Sequence, residues 1–103
     1  MMKMVSMVLA GSMLVSAAPA FAATAAEVDC AYQADVVEAV RQARIDRVKE
    51  REVPAAIKAK APTWPDKYNA AIPLIAPWVY EMKMGEVRQN DLGAAWKELC
   101  LSR

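Results

Sequence analysis

Two cysteines carry the most specific chemistry in this sequence. Cys30 and Cys100 are its only thiols, so a single intramolecular pairing exists. In an oxidising compartment an even pair in a small domain forms a disulfide. A reactive thiol would instead need a pKa lowered by nearby cations or by a CxxC partner. Neither cysteine has a basic neighbour in sequence, and a structural bridge is expected. Its loop would enclose nearly the whole domain, for which loop entropy gives about 4 kcal/mol.

Two further groups of side chains could bind. Arg41 and Arg44 fall inside the apolar stripe Cys30–Ala34–Val37–Ile45–Val48 rather than opposite it. A guanidinium pair in that position forms a candidate anion site. The plainer alternative is that the stems cover apolar surface and the heads pair with Glu81, Glu86 or Asp91. Between Ala70 and Met84 the only charges are Glu81 and Lys83. A helix apolar all round is buried or covered by a partner, so Trp78, Tyr80, Met84 and Val87 form a candidate partner face, with a core-spanning segment as the alternative. Trp64, between Thr63 and Pro65, either plugs the core or stacks on a ligand.

The sequence lacks the groups that most chemistry requires. There is no His, which removes the commonest general base and metal ligand. Beyond residue 22 the hydroxyl side chains outside tyrosine are Thr24, Thr63 and Ser102, so no Ser-His-Asp site can be assembled. The glycines there are Gly85 and Gly93 alone, and neither GxGxxG nor GxxxxGK occurs. No catalytic residue, cofactor site or metal site is assigned.

The first 22 residues read as an address. Met1–Lys3 is positively charged, Met4–Val15 is an apolar stretch of 12 residues, and Ala20-Phe21-Ala22 is an A-x-A cleavage pattern. That is the order of a secretory signal peptide, and the run is short of the roughly 20 residues that span a membrane. Cleavage is expected between Ala22 and Ala23, with a second choice after Ala25. A periplasmic or secreted location follows, with no membrane attachment after cleavage. The remaining 81 residues, 23–103, make one domain carrying twelve basic and twelve acidic side chains. This balance argues against nucleic acid as a partner. A domain so small is marginal without a staple.

The positioning elements are helical. Glu27–Glu52 is predicted as one long helix, with acids at its start and bases at its end. Pro54 opens a short helix to Lys60, a proline-punctuated turn follows, and Asp66 begins a third helix to about Ala71 that Pro73 ends or kinks, with Pro73–Ala76 either a bend or a first turn. Pro77–Met84 is predicted as helix again, stopped by Gly85 or continuing through Arg88. Asn90-Asp91 caps a last helix to Leu101, with Leu92, Ala95, Trp96 and Leu99 as its apolar face. No stretch alternates with period two. An all-α bundle of four or five helices is expected, with the first and last antiparallel and joined by the disulfide.

The segments Cys30-Ala31-Tyr32-Gln33-Ala34, Trp78-Val79-Tyr80-Glu81 and Trp96-Lys97-Glu98-Leu99-Cys100 resemble a loose class of small exported bacterial all-α proteins closed by one N-to-C-terminal disulfide. The class has no known activity to carry over. In size, compartment, helicity and single disulfide the chain is also similar to the HdeA-type periplasmic acid chaperones, which implies opening at low pH as the acids protonate. Arg44-Ile45-Asp46 resembles the first helix of secreted helical chorismate mutases, whose longer helices the prolines here interrupt. The expectation is a non-catalytic binding protein whose partner is another protein or a second copy. An acid-stress chaperone and a mutase-type enzyme are the alternatives.

Overall fold

A computed structural model describes residues 23–103; the expected signal peptide, residues 1–22, lies outside the described residues. Five α-helices and two 3-10 turns follow one another: α1 (Ala25–Ile45), a turn (Glu50–Glu52), α2 (Val53–Ala59), a second turn (Asp66–Ala71), α3 (Ile72–Glu81), α4 (Met84–Gln89) and α5 (Leu92–Leu101). There is no strand among the described residues. The fold is the small all-α bundle expected, and Cys30 and Cys100 are bonded, with their Cα atoms 5.7 Å apart.

α1 starts earlier and ends sooner than its sequence pattern suggests. Thr24 caps the start, its hydroxyl accepting the Glu27 N–H at 3.1 Å. At the other end Arg47 adopts φ 63°. The Arg47 N–H bonds the Arg44 carbonyl and the Val48 N–H bonds the Ala43 carbonyl. These two bonds form a Schellman motif, with Arg47 where glycine is usual. The single helix expected to run to Glu52 therefore stops at Ile45, and residues 46–49 turn the chain toward α2.

Pro54 sits in the first turn of α2, as expected. The element begun at Asp66 ends at Ala71, as expected, and Pro73 lies in the first turn of α3. Pro77 lies inside α3, and both prolines are exposed. The carbonyl of Pro73, which loses its i→i+4 donor, sits on the solvent side, where the loss costs least. α3 ends at Glu81 because Met82 turns extended (φ −71°, ψ 151°). Gly85, read as either a stop or part of a helix continuing through Arg88, lies within α4.

α1 is the central element, with α5 and α3 as its main neighbours. Its Val36, Val37, Val40 and Ala43 are buried, together with Val53 and Ile57 of α2, Ile72, Ile75, Ala76 and Val79 of α3, Val87 of α4 and Leu92 of α5. α5 lies antiparallel along α1, with Gly93 against Ala34 and Glu38, Trp96 bonded to Gln33 and Cys100 to Cys30. The buried side of α5 is thus Leu92, Gly93 and Trp96, whereas Ala95 and Leu99, expected to be buried, are exposed. A polar chain closes this seam: Tyr68 Oη–H donates to Asp29 at 2.7 Å, Gln33 Nε2–H to Asp29 at 2.7 Å, and Trp96 Nε1–H to Gln33 at 2.9 Å.

Candidate functional site

Arg41 and Arg44, one turn apart, have different surroundings. Arg41 Nε–H donates to the Val87 carbonyl at 2.7 Å and an Nη to the Arg88 carbonyl at 2.9 Å. Its other Nη pairs with Glu38 at 3.3 Å. This side chain ties α1 to the carbonyls of α4 and is spent on the framework. The expected pair is corrected on that point: Arg41 is not free to bind an anion.

Arg44 is different. Its guanidinium carbon lies 5.2 Å from the centre of the Tyr80 ring. Its Nε–H is shielded from water and has no acceptor. Arg44 lines an open cleft of about 560 Å³ with Arg47, Val48, Lys49, Glu50, Tyr80 and Met84. None of its three cations forms an ion pair; the two ion pairs among the described residues are Arg41–Glu38 and Lys60–Asp46. Arg44, Arg47 and Lys49 all come from the end of α1 and the link after it, so no second helix supplies a cation, as a mutase-type site would need. Tyr80 Oη–H donates to the Val48 carbonyl, which fixes the ring as the cleft wall. Burial pushes the Tyr80 phenol above its usual pKa, while the charge of Arg44 opposes that rise.

The expected partner face does not survive as one surface. The break at Met82 puts Trp78 and Tyr80 on α3 and Met84 and Val87 on α4. Val87 is 0% exposed and belongs to the core. Tyr80 and Met84 line the basic cleft. Trp78 is half-buried against Trp96, with ring centroids 5.7 Å apart and planes tilted by 49°. Leu74 lies one turn from Trp78 on α3, and Leu99 lies one turn from Trp96 on α5. Leu74 is 79% exposed and Leu99 61% exposed. Helical spacing thus sets one exposed leucine beside each ring of the tryptophan pair, an apolar strip of four side chains. Sequence placed Leu99 on the apolar face of α5, and its exposure follows from the close approach at Gly93, which turns that side of the helix outward.

Trp64 is half-buried against the core, and its Nε1–H donates to Asn69 at 2.8 Å. It also borders a pocket of about 420 Å³ floored by Ala39, Ala43, Val48 and Ile57. Core packing and an accessible ring face are both realised at this residue. Asp29 lies close to Cys30 and Cys100, but both sulfurs are held in the disulfide, which leaves no thiolate for a metal.

No family model, curated protein or solved structure matches this chain. The resemblance stands at the level of a small all-helical domain closed by one disulfide. That bridge is consistent with an extracytoplasmic protein. Among the described residues no helix is long and apolar enough to cross a membrane.

Proposed function

We propose that this is an exported, non-catalytic interaction protein, periplasmic or secreted, that binds another protein through the Leu74–Trp78–Trp96–Leu99 strip. The exposure of Leu74 and Leu99 beside a tryptophan pair carries this reading. Leaving a leucine in water forfeits about 1.5–3 kcal/mol of burial, and two adjacent losses in so small a domain call for a compensating contact. Half-buried tryptophans ringed by aliphatic side chains are the usual anchors of protein interfaces. A standard interface between separate proteins buries about 1,200–2,000 Å², whereas obligate homodimers bury about 2,000–5,000 Å². Four side chains supply only part of that, which favours a separate partner over a second copy. The sequence, with no His and three hydroxyl side chains outside tyrosine beyond residue 22, supports binding over catalysis. Cleavage after Ala22 is preferred over Ala25, because the later cut would remove Thr24, the cap of α1.

The test compares the native protein with a Leu74→Glu/Leu99→Glu double variant. Both sites are exposed, so the two proteins should melt together. A protein captured from an exported-protein extract by the native chain and lost with the variant supports the proposal. Equal capture by both removes it. Sedimentation that shows a dimer dissociating in the variant would assign the strip to self-association instead.

A further inference from the structure

We infer that the cleft at the end of α1 is a binding site for a small organic oxyanion, a carboxylate or phosphate monoester carrying an apolar arm. The inference is independent of the proposed protein partner, since Tyr80 and Trp78 face different neighbours. Charge comes first. The domain from residue 23 onward is balanced, with twelve acids and twelve bases. Yet the cleft lining has three cations, Arg44, Arg47 and Lys49, against Glu50 alone.

These cations could merely offset the negative end of the α1 dipole. The hydrogen bonds oppose that explanation. The carbonyls of Gln42, Ala43 and Arg44 already accept from the backbone N–H groups of Asp46, Val48 and Arg47. The Val48 carbonyl accepts from Tyr80. Arg44 is left with a water-shielded Nε–H and no acceptor. A guanidinium offers five donors in a planar fork that matches a carboxylate or phosphate. Its stacking on Tyr80 holds that fork in place, so little ordering is needed on binding.

The apolar arm follows from the remaining wall. Tyr80, Met84 and Val48 line the cleft, and its size falls within the roughly 300–1,000 Å³ of small-molecule sites, well beyond one inorganic ion. The oxyanion would sit between Arg44, Arg47 and Lys49, with the arm over the Tyr80 ring and the Met84 thioether.

Benzoate, phenyl phosphate, inorganic phosphate and benzyl alcohol are titrated into the exported, disulfide-bonded protein at low ionic strength. NMR follows the Arg44 Nε–H and the Met84 methyl. Benzoate or phenyl phosphate should shift both signals saturably, and which of the two binds tighter identifies the head group. Inorganic phosphate should bind at least several-fold more weakly, benzyl alcohol should not bind, and added salt should weaken the complex. An Arg47→Gly/Lys49→Gln variant touches only exposed side chains, and it should fold normally with affinity reduced about tenfold. The inference is overturned if neither organic anion saturates by roughly 10 mM. It is equally overturned if inorganic phosphate or benzyl alcohol binds as well as they do, or if the folded double variant binds unchanged.

Discussion

Arg47 occupies left-handed backbone that costs a non-glycine residue roughly 1–2 kcal/mol. Its φ of 63° sits at the Schellman position that ends α1, and the side chain that remains there lines the cleft. Arg47→Gly should therefore raise stability by about 0.5–1 kcal/mol, the strain relief being partly offset by the freer unfolded chain. A urea titration reads this directly; a loss of stability would mean that the arginine side chain contributes more than its backbone costs. Tyr68 gives a second reading at this scale. Its hydrogen bond to Asp29, followed by burial, pushes its pKa up to about 12. Because the folded state holds the proton more tightly than the unfolded chain, stability from this bond is complete below pH 10. It is lost as the pH rises from about 10 to 12. Native protein should lose stability across that window, and Tyr68→Phe should lose less over the same interval in alkaline melts.

The seam between α1 and α5 depends on the absence of a side chain. A Cβ on Gly93 would come within 2.7 Å of Glu38 Cγ and 2.9 Å of the Ala34 carbonyl oxygen. The first can swing aside, but the second belongs to the middle of α1 and cannot. The Gly93 N–H also donates to Glu38 at 2.9 Å. Gly93→Ala should cost about 1–3 kcal/mol by forcing the helices apart, with Gly85→Ala, which meets nothing within 4 Å, as the near-neutral control in the same thermal melts. Equal effects at both glycines would refute the close approach. The same elements show what sequence can and cannot reveal. Asp91 and Pro54 act through local backbone chemistry, so the starts of α5 and α2 were legible. The end of α1 was not, because its stop signal is a conformation imposed on an arginine. Pro73 was open between a bend and a first turn, because a proline ends one helix as readily as it starts the next; the element begun at Asp66 ends at Ala71, and Pro73 lies in the first turn of α3. Arg44 was legible as a candidate, whereas Arg47 and Lys49 join it only through the turn that sequence periodicity missed. The exposure of Leu74 and Leu99 was not legible, because it depends on which side of a helix its neighbour takes.

For the molecule as a whole, the issue is what holds it together when charge is removed. Among the described residues no charged side chain is buried, and the two ion pairs are partly exposed contacts at 3.3 and 3.5 Å, each contributing about 0–1 kcal/mol. Acid therefore removes little direct attraction. What acid adds is repulsion, since neutralising twelve carboxylates leaves twelve basic side chains uncompensated. Opposing this is the bridge joining residues 70 apart in sequence, which removes about 4 kcal/mol of unfolded-state entropy. A domain of this size has on the order of 4–12 kcal/mol of stability in total, so the bridge is decisive under acid stress. The oxidised protein should remain helical and silent to a dye for exposed apolar surface at about pH 3. The reduced, thiol-blocked protein should unfold under the same conditions and melt well below the oxidised form at neutral pH. Circular dichroism with dye fluorescence checks both forms. If the oxidised form binds dye in acid, repulsion outweighs the covalent tie, and an acid-opened chaperone becomes the better account of the protein.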